Sequence, residues 1–207
     1  LIISAYFILR KRIRKLNIWI FICTFIGASL FTLAVDFVFE NVLEPHQKDR
    51  IEVLLGKKED FKGVGYNVNQ SKIAIGSGGI TGKGFLNGTQ TKFNFVPEQD
   101  TDFIFCTIGE EWGFIGASLT VIIFIFLCAK LIKMAERQRS KFARIYGYSV
   151  ASIIFFHFFI NIGMTIGLLP VIGIPLPFIS YGGSSLWAFT FLLFIFIKQD
   201  ALRQELI

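Results

Sequence analysis

Long apolar runs alternate with short charged segments along the chain. Leu16–Val35 and Trp112–Ala129 contain no Asp, Glu, Lys or Arg, and neither does the longer stretch Ile145–Ile197. A helix needs about 20 apolar residues to cross a bilayer core, so the last stretch is long enough for two crossings. Its middle part, LLPVIGIPLPFISYGGSS, contains prolines and glycines that break a single helix. The pattern predicts an all-α fold, a polytopic bundle of transmembrane helices.

The bundle is predicted as one membrane domain with about four full spans and a large extracytoplasmic loop. The predicted segments are the end of a truncated span at 1–9, spans at 16–39, 103–129, 145–169 and 184–197, the loop at 40–102, an extracytoplasmic turn at 170–183, and cytoplasmic segments at 130–144 and 198–207. No initiator Met precedes the short apolar stretch LIISAYFIL. We therefore expect the chain to be the C-terminal part of a longer protein and to be inactive on its own.

Charge asymmetry predicts the orientation of these spans. Residues 10–15 carry five Lys or Arg and no acid, and residues 130–144 carry six against Glu136 alone. Loop 40–102 is nearly neutral, with eight Lys or Arg against nine Asp or Glu. The positive-inside rule then places the cationic segments in the cytoplasm and the loop on the outer side of the membrane. Topology and attraction to anionic membrane lipid explain the net charge of +6, and no nucleic-acid partner is predicted.

Composition agrees with a membrane protein and excludes two kinds of site. Hydrophobic residues make up 53% of the 207 residues, and the mean hydropathy is +0.60. The three cysteines lie in or beside apolar runs without zinc-ligand spacing. The glycine-rich stretch 76–88 does not match a nucleotide phosphate loop, because Gly84 stands where that motif needs Ser or Thr after Lys83.

Three longer motifs follow one another between residues 70 and 185. They read QSKIAIGSGGITGKGFLNGTQ, then VPEQDTDFIF with GEEWGFIG, then NIGMTIGLLPVIGIPLPFISYGGSS. Together they resemble the SEDS family of bacterial cell-wall polymerases, and the RodA branch, which serves elongation, more than the division relative FtsW. The resemblance implies the C-terminal half of a ten-helix peptidoglycan glycosyltransferase. Such an enzyme joins lipid II units and releases undecaprenyl pyrophosphate, with a class B penicillin-binding protein, a transpeptidase, as partner.

The resemblance implies that Asp102 is the catalytic base. The family commonly has P-E-x-H-T-D where this chain has PEQDTD, so Asp100 replaces the histidine while Asp102 stays in register. A carboxylate beside the acceptor hydroxyl can take its proton, and an ordinary Asp, with a pKa of about 3.9, is ionised at neutral pH. The alternative is that Thr101 or Asp102 caps the next helix. Asp100 is either a solvated loop charge or a group that positions the acceptor or binds a metal.

Other polar residues of the motifs are candidates for substrate binding. They are Lys72, Ser77, Lys83, Gln90, Glu98, Thr101, Ser180, Tyr181, Gly182, Gly183 and Ser184. The lysines either meet the pyrophosphate or are solvated loop charges. Residues 180–185 can present backbone N–H groups at a helix N-terminus to an anion, or can serve close helix packing. No cofactor is identified, and a divalent cation such as Mg²⁺ is a candidate with unknown ligands.

Glu110 and Glu111 are predicted to lie inside the span that follows Asp102. They come eight and nine residues after it, about 12–14 Å along a helix. Charged groups at that depth face the bundle interior or a watered cavity. We expect structural pairing with Lys, Arg or backbone groups, with a supporting role in the site as the alternative. Buried carboxylates would also suit a lipid II flippase, and a membrane scaffold for a transpeptidase is the third candidate function.

Overall fold

The computed structural model describes residues 14–56 and 63–204. The elements are α1 (Arg14–Asn41), α2 (Pro45–Leu54), α3 (Val64–Ser77), α4 (Thr89–Lys92), α5 (Ile104–Glu136), α6 (Lys141–Thr165), α7 (Gly183–Ala201) and a 3-10 turn at Leu202–Gln204. No strand occurs in these ranges, so the predicted all-α fold is confirmed. The predicted span end at 1–9 lies outside the described residues.

Three helices within the described ranges are long and apolar enough to cross a membrane. They are Ile22–Asn41 within α1, α5 and α6, with mean hydropathies of 2.0, 2.4 and 1.6. Helix α7 has 19 residues, carries Lys198 and Asp200 near its end, and is not among the three. The polytopic helical architecture agrees with the sequence pattern, and the fourth span at 184–197 stays a prediction.

The chain divides into two compact units, residues 1–49 and 50–207. In the first unit, α1 presents exposed apolar side chains such as Phe25 and Phe31, which are 67% and 71% exposed. Lys48 Nζ donates a hydrogen bond of 2.7 Å to the carbonyl of Glu40, which ties the start of α2 to the end of α1.

In the second unit, α5 and α6 pack side by side and α7 packs against α6. Phe124 and Phe158 stack with ring centroids 4.8 Å apart in the buried core that these helices share. Gly147 on α6 lies so close to Phe196 of α7 and Ala135 of α5 that an added Cβ would overlap both. Small residues at such crossings let transmembrane helices approach closely.

Helix α5 is interrupted at Gly113, where the backbone has φ 64° and ψ −160°. The loop between α3 and α4, residues 78–88, is called the glycine loop here. It supplies partners for the backbone groups whose helical hydrogen bonds are lost at the kink. The N–H groups of Phe114 and Ile115 donate to the carbonyls of Gly79 and Ile80, at 2.9 and 3.2 Å. Unpaired backbone groups are costly inside a membrane, and here a loop satisfies them, which permits the kink. This break was not predicted from the sequence.

The same loop also pairs with the carbonyls on the other side of the kink. Lys83 N donates to Glu110 O at 3.1 Å, and Gly84 N donates to Glu111 O at 2.9 Å. A Cβ at Gly82 or Gly113 would collide with backbone of the opposing segment, so both positions need glycine. Beyond the kink, α5 continues past the apolar run that ends at Ala129 and reaches Glu136.

Candidate active site

Asp102 lies in a tight turn directly before α5. The carbonyl of Glu98 accepts hydrogen bonds from the backbone N–H groups of Thr101, Asp102 and Phe103, at 3.3, 3.0 and 3.2 Å. Glu98 has a positive φ of 54°, and the neighbouring Phe103 is buried at 1% exposure. This turn leaves the side chain of Asp102 partly buried. Phe103, without a side-chain hydrogen bond, is the N-cap of α5, so the alternative that Thr101 or Asp102 caps the helix is wrong.

Asn161 of α6 holds the backbone around Asp102 in place. Its Nδ2 atom donates to the carbonyls of Asp102 and Ile174, both at 2.8 Å, and the residue is completely buried. One amide therefore connects the turn before α5 to the segment between α6 and α7, residues 166–182, which is called the Pro-rich turn. Asn161 was not among the predicted site residues, although an amide within a long uncharged apolar stretch was the available signal.

The carboxylate of Asp102 lies against the backbone of Gly173 in the Pro-rich turn. A Cβ added to Gly173 would lie 3.0 Å from Asp102 Oδ2, and Gly173 has a positive φ of 79°. Two conditions therefore favour glycine at this position: the backbone conformation and the space that the carboxylate occupies. The result is a carboxylate located between two loops.

The surroundings of Asp102 raise its pKa above the ordinary value. Burial is the largest cause, the nearby negative charge of Glu98 adds to it, and a hydrogen bond from Thr101 acts in the opposite direction. A raised pKa makes the ionised carboxylate a stronger base. This is the direction that suits a group that removes a proton from a hydroxyl.

A cavity of about 310 Å³ lies beside this turn. Its lining residues are Asn94, Val96, Pro97, Glu98, Gln99, Asp100, Thr101 and Tyr181. Tyr181 N donates to the carbonyl of Asp100 at 2.8 Å, which joins the two loops at the cavity. Of the predicted site residues, the structure brings Glu98, Thr101 and Tyr181 together here, with Asp100 at their side.

Glu110 forms a second and separate polar cluster under the glycine loop. Its side chain is fully buried, and its Oε1 atom is 2.7 Å from Lys83 Nζ. The Thr89 and Ser77 hydroxyls donate to the same oxygen at 3.2 and 3.3 Å. Backbone N–H groups at positions 90 and 91 each donate to the carboxylate at 2.9 Å. The carboxylate thus anchors the loop and the short helix α4 to α5.

Comparison with known proteins identifies the family. The family model FTSW_RODA_SPOVE, described as cell cycle protein, matches residues 2–204. The chain belongs to the FtsW/RodA/SpoVE family. The resemblance to the SEDS cell-wall polymerases that the motifs predicted is thereby confirmed.

Two curated relatives and one solved structure illustrate the similarity. The peptidoglycan glycosyltransferase MrdB of Escherichia coli (strain K12) is 44% identical over 163 residues, which are 78% of this chain and 44% of that protein. The peptidoglycan glycosyltransferase RodA of Treponema pallidum (strain Nichols) is 36% identical over 174 residues, covering 84% and 40%. The chain therefore spans less than half the length of either relative.

The solved structure is one chain from a study of "Structural coordination of polymerization and crosslinking by a peptidoglycan synthase complex". It matches with a TM-score of 0.67 and 27% identity over 86% of this chain and 48% of that chain. The match supports the helical arrangement described above.

Within this FtsW/RodA/SpoVE chain, the two lysines predicted to meet pyrophosphate lie in different surroundings. Lys83 is held by Glu110 and by Thr89 Oγ1, the latter at 2.7 Å. Lys72 of α3 is exposed, and its Cε and Nζ lie over Gly167, where a Cβ would overlap them. Lys72 is thus the freer cation of the two. Substrate contact stays a prediction for both, and also for Ser77 and Gln90 in the Glu110 cluster.

The segment 180–185 of this family member combines a structural serine with an open helix end. Ser180 is buried, and its hydroxyl accepts a hydrogen bond of 2.7 Å from Leu176 N. Gly182 is the N-cap of α7 and supplies no side-chain cap, and Gly183 and Ser184 are exposed in the first turn. The first N–H groups of α7 can therefore donate hydrogen bonds to an anion.

Glu111 contributes to the fold through its main chain, because its carbonyl accepts the hydrogen bond from Gly84 N. The residue itself is buried, at 7% exposure.

For the candidate cation, we find no group of three or more His, Cys, Asp or Glu side chains in the described ranges that could hold a metal ion. A divalent cation such as Mg²⁺ stays a prediction.

Proposed function

We propose that the protein containing this chain is a peptidoglycan glycosyltransferase that polymerises lipid II during cell elongation. The observation that carries the proposal is the position of Asp102, a partly buried carboxylate with a raised pKa, held between two loops beside a cavity. The names of the relatives support the reaction class. Because this chain spans under half of those relatives, the complete protein is the unit that carries the activity.

In the proposed reaction, a sugar hydroxyl of the acceptor attacks the anomeric carbon of the lipid-linked donor. The new C–O bond forms while the bond to the pyrophosphate oxygen breaks, and undecaprenyl pyrophosphate leaves with the electron pair. Asp102 takes the hydroxyl proton as the nucleophile attacks. Pyrophosphate is already a stable leaving group, so no general acid is needed. Lys72 and the open N-terminus of α7 are the groups proposed to stabilise its charge.

We further propose that the chain crosses the bacterial cytoplasmic membrane with loop 40–102 on the outer side, where lipid II is polymerised. The charge asymmetry of the segments supports this orientation. A class B penicillin-binding protein is the proposed partner, since the similar solved structure belongs to a complex that coordinates polymerization and crosslinking. Its transpeptidase activity would crosslink the strands that this protein makes.

The proposal is tested by reconstituting the complete protein with its partner in proteoliposomes that contain labelled lipid II. Asp102→Asn should reduce glycan synthesis by about 10²–10⁴-fold, the usual contribution of a positioned base. Glu44→Gln, which changes an exposed carboxylate, is the matched control and should polymerise normally. Normal polymerisation by Asp102→Asn would refute the base assignment. Labelled lipid II that crosses the bilayer without being joined would indicate a flippase instead.

A further inference from the structure

A second cavity lies at the end of the bundle opposite Asp102, where the turn between α5 and α6 meets the end of α7. Its volume is about 440 Å³. The lining residues are Gln138, Arg139, Ser140, Phe142, Ala143, Gln199, Leu202 and Arg203. The proposed polymerase reaction uses none of these residues.

An ion-pair network adjoins this cavity through Gln138 and Arg203, which line it. Asp200 is buried and pairs with both Arg137 and Arg203, the latter at 2.8 Å. Gln138 Nε2 donates to the same carboxylate at 2.7 Å. Two guanidinium groups thus share one carboxylate, and the network beside the cavity carries an excess of positive charge. The fixed geometry holds Arg203 at the cavity without the cost of ordering a free side chain.

Further positive potential comes from Arg139 and from the start of α6. Arg139 is exposed and pairs with no acidic side chain in the part of the chain that the structure describes. Ser140 is the N-cap of the 25-residue helix α6 and makes no side-chain cap hydrogen bond. The first N–H groups of a helix are unpaired and carry partial positive charge. Phe142 and Ala143 of that first turn line the cavity.

The cavity also contains an acceptor and apolar surface. The Oε1 atom of Gln199 is buried and has no hydrogen-bond partner among the described residues. A buried acceptor without a donor is unfavourable, so a ligand hydroxyl would satisfy it. Phe142 and Leu202 are 71% and 40% exposed. An occupant that combines phosphate, hydroxyl and hydrocarbon matches this lining better than a free anion does.

We propose that this cavity binds the headgroup of an anionic glycerophospholipid that carries a free hydroxyl, such as phosphatidylglycerol. The phosphate lies between Arg139, Arg203 and the start of α6, and the headgroup glycerol donates a hydrogen bond to Gln199 Oε1. The glycerol backbone and the first acyl carbons cover Phe142 and Leu202. Basic pockets between transmembrane helices on the cytoplasmic side are a known mode of binding anionic headgroups.

Native mass spectrometry of the purified complete protein in detergent tests the site. The probes are phosphatidylglycerol, phosphatidic acid without a headgroup hydroxyl, zwitterionic phosphatidylcholine, and inorganic phosphate. We expect phosphatidylglycerol to bind most tightly, phosphatidic acid less tightly, and the other two not measurably. Equal binding of phosphatidylcholine, or inorganic phosphate that displaces phosphatidylglycerol at equal concentration, would overturn the proposal.

Three variants localise the binding. Arg139→Gln should weaken phosphatidylglycerol binding about fivefold. Lys133→Gln removes the same charge from an exposed position in the last turn of α5, outside the cavity, and should change binding less than twofold. Gln199→Leu should abolish the preference for phosphatidylglycerol over phosphatidic acid without weakening phosphatidic acid. Circular dichroism verifies that the variants are folded. Equal losses in Arg139→Gln and Lys133→Gln would show diffuse attraction and refute a defined site.

Discussion

Asp102 and Glu110 are two carboxylates eight positions apart, and the structure gives them opposite surroundings. Glu110 is fully buried and accepts hydrogen bonds from Ser77, Lys83 and Thr89 and from two backbone N–H groups. Asp102 is partly buried and lies between a glycine backbone and the turn that carries Glu98. A carboxylate that accepts five hydrogen bonds stabilises a fold, whereas one with few donors and a nearby like charge keeps its basicity for a substrate. The hydrogen-bond partners of each carboxylate, more than its position along the chain, therefore separate the two roles.

The largest expected effect on stability comes from changing Glu110. Glu110→Ala leaves Lys83 partly buried without its counter-charge and removes the anchor of the glycine loop, so it should destabilise the protein by about 3–5 kcal/mol. Thermal unfolding of the complete protein in detergent measures this. Asp102→Ala should cost less than about 1 kcal/mol.

The control for this pair is Glu136→Ala, an exposed carboxylate at the end of the same helix. The double variant Glu110→Gln with Lys83→Met should recover part of the loss, because no unpaired charge is left buried. Equal destabilisation by Glu110→Ala and Asp102→Ala would contradict the distinction between the two carboxylates.

The next effect concerns the residue that holds Asp102 in position. Asn161→Ala leaves the carbonyls of Asp102 and Ile174 without their shared donor, which should cost about 1–3 kcal/mol. Polymerisation at a temperature where the variant is fully folded should fall about tenfold or more, because a small displacement of a catalytic group is costly. Ser149→Ala on the same helix, where the exposed hydroxyl bonds only its own helix, is the control. An Asn161→Ala protein that retains full activity would remove Asn161 from the site.

A smaller effect is expected where the Pro-rich turn meets Asp102. Gly173→Ala forces a side chain into a positive-φ conformation, at about 1–2 kcal/mol, and crowds the carboxylate. We expect a several-fold drop in the polymerisation rate. Gly76→Ala is the matched control, because an added Cβ at Gly76 meets no atom within 4 Å. If Gly173→Ala and Gly76→Ala polymerise at the same rate, the contact between Gly173 and Asp102 does not contribute to activity.

The smallest effect is a shift along the pH axis. Asp102 acts as a base only when ionised, so activity should be lost as the pH falls through its raised pKa. Glu98→Gln removes the like charge that raises this pKa, and the acid limb of the pH–rate profile should move to lower pH. Profiles of polymerisation rate against pH for the two proteins measure the shift. A move to higher pH would show that the charge of Glu98 does not act on the base.

The local pattern of the sequence was sufficient for the class of fold and for the position of Asp102 before a helix. The apolar runs became α1, α5 and α6, since helix formation and membrane transfer depend on the composition of contiguous residues. The expected pairing of a buried glutamate with a lysine also agrees with the Glu110–Lys83 contact.

Only the tertiary structure decided which distant groups meet. The contact of Asp102 with Gly173, the double hydrogen bond of Asn161, and the insertion of the glycine loop into the kink at Gly113 all join segments far apart in the chain. Hydrophobic periodicity reports which face of one element is buried, but it contains no information about the partner that covers a particular polar atom. Unpaired backbone groups must be satisfied somewhere in a membrane protein, and the packing of α3, α5 and α6 determined where.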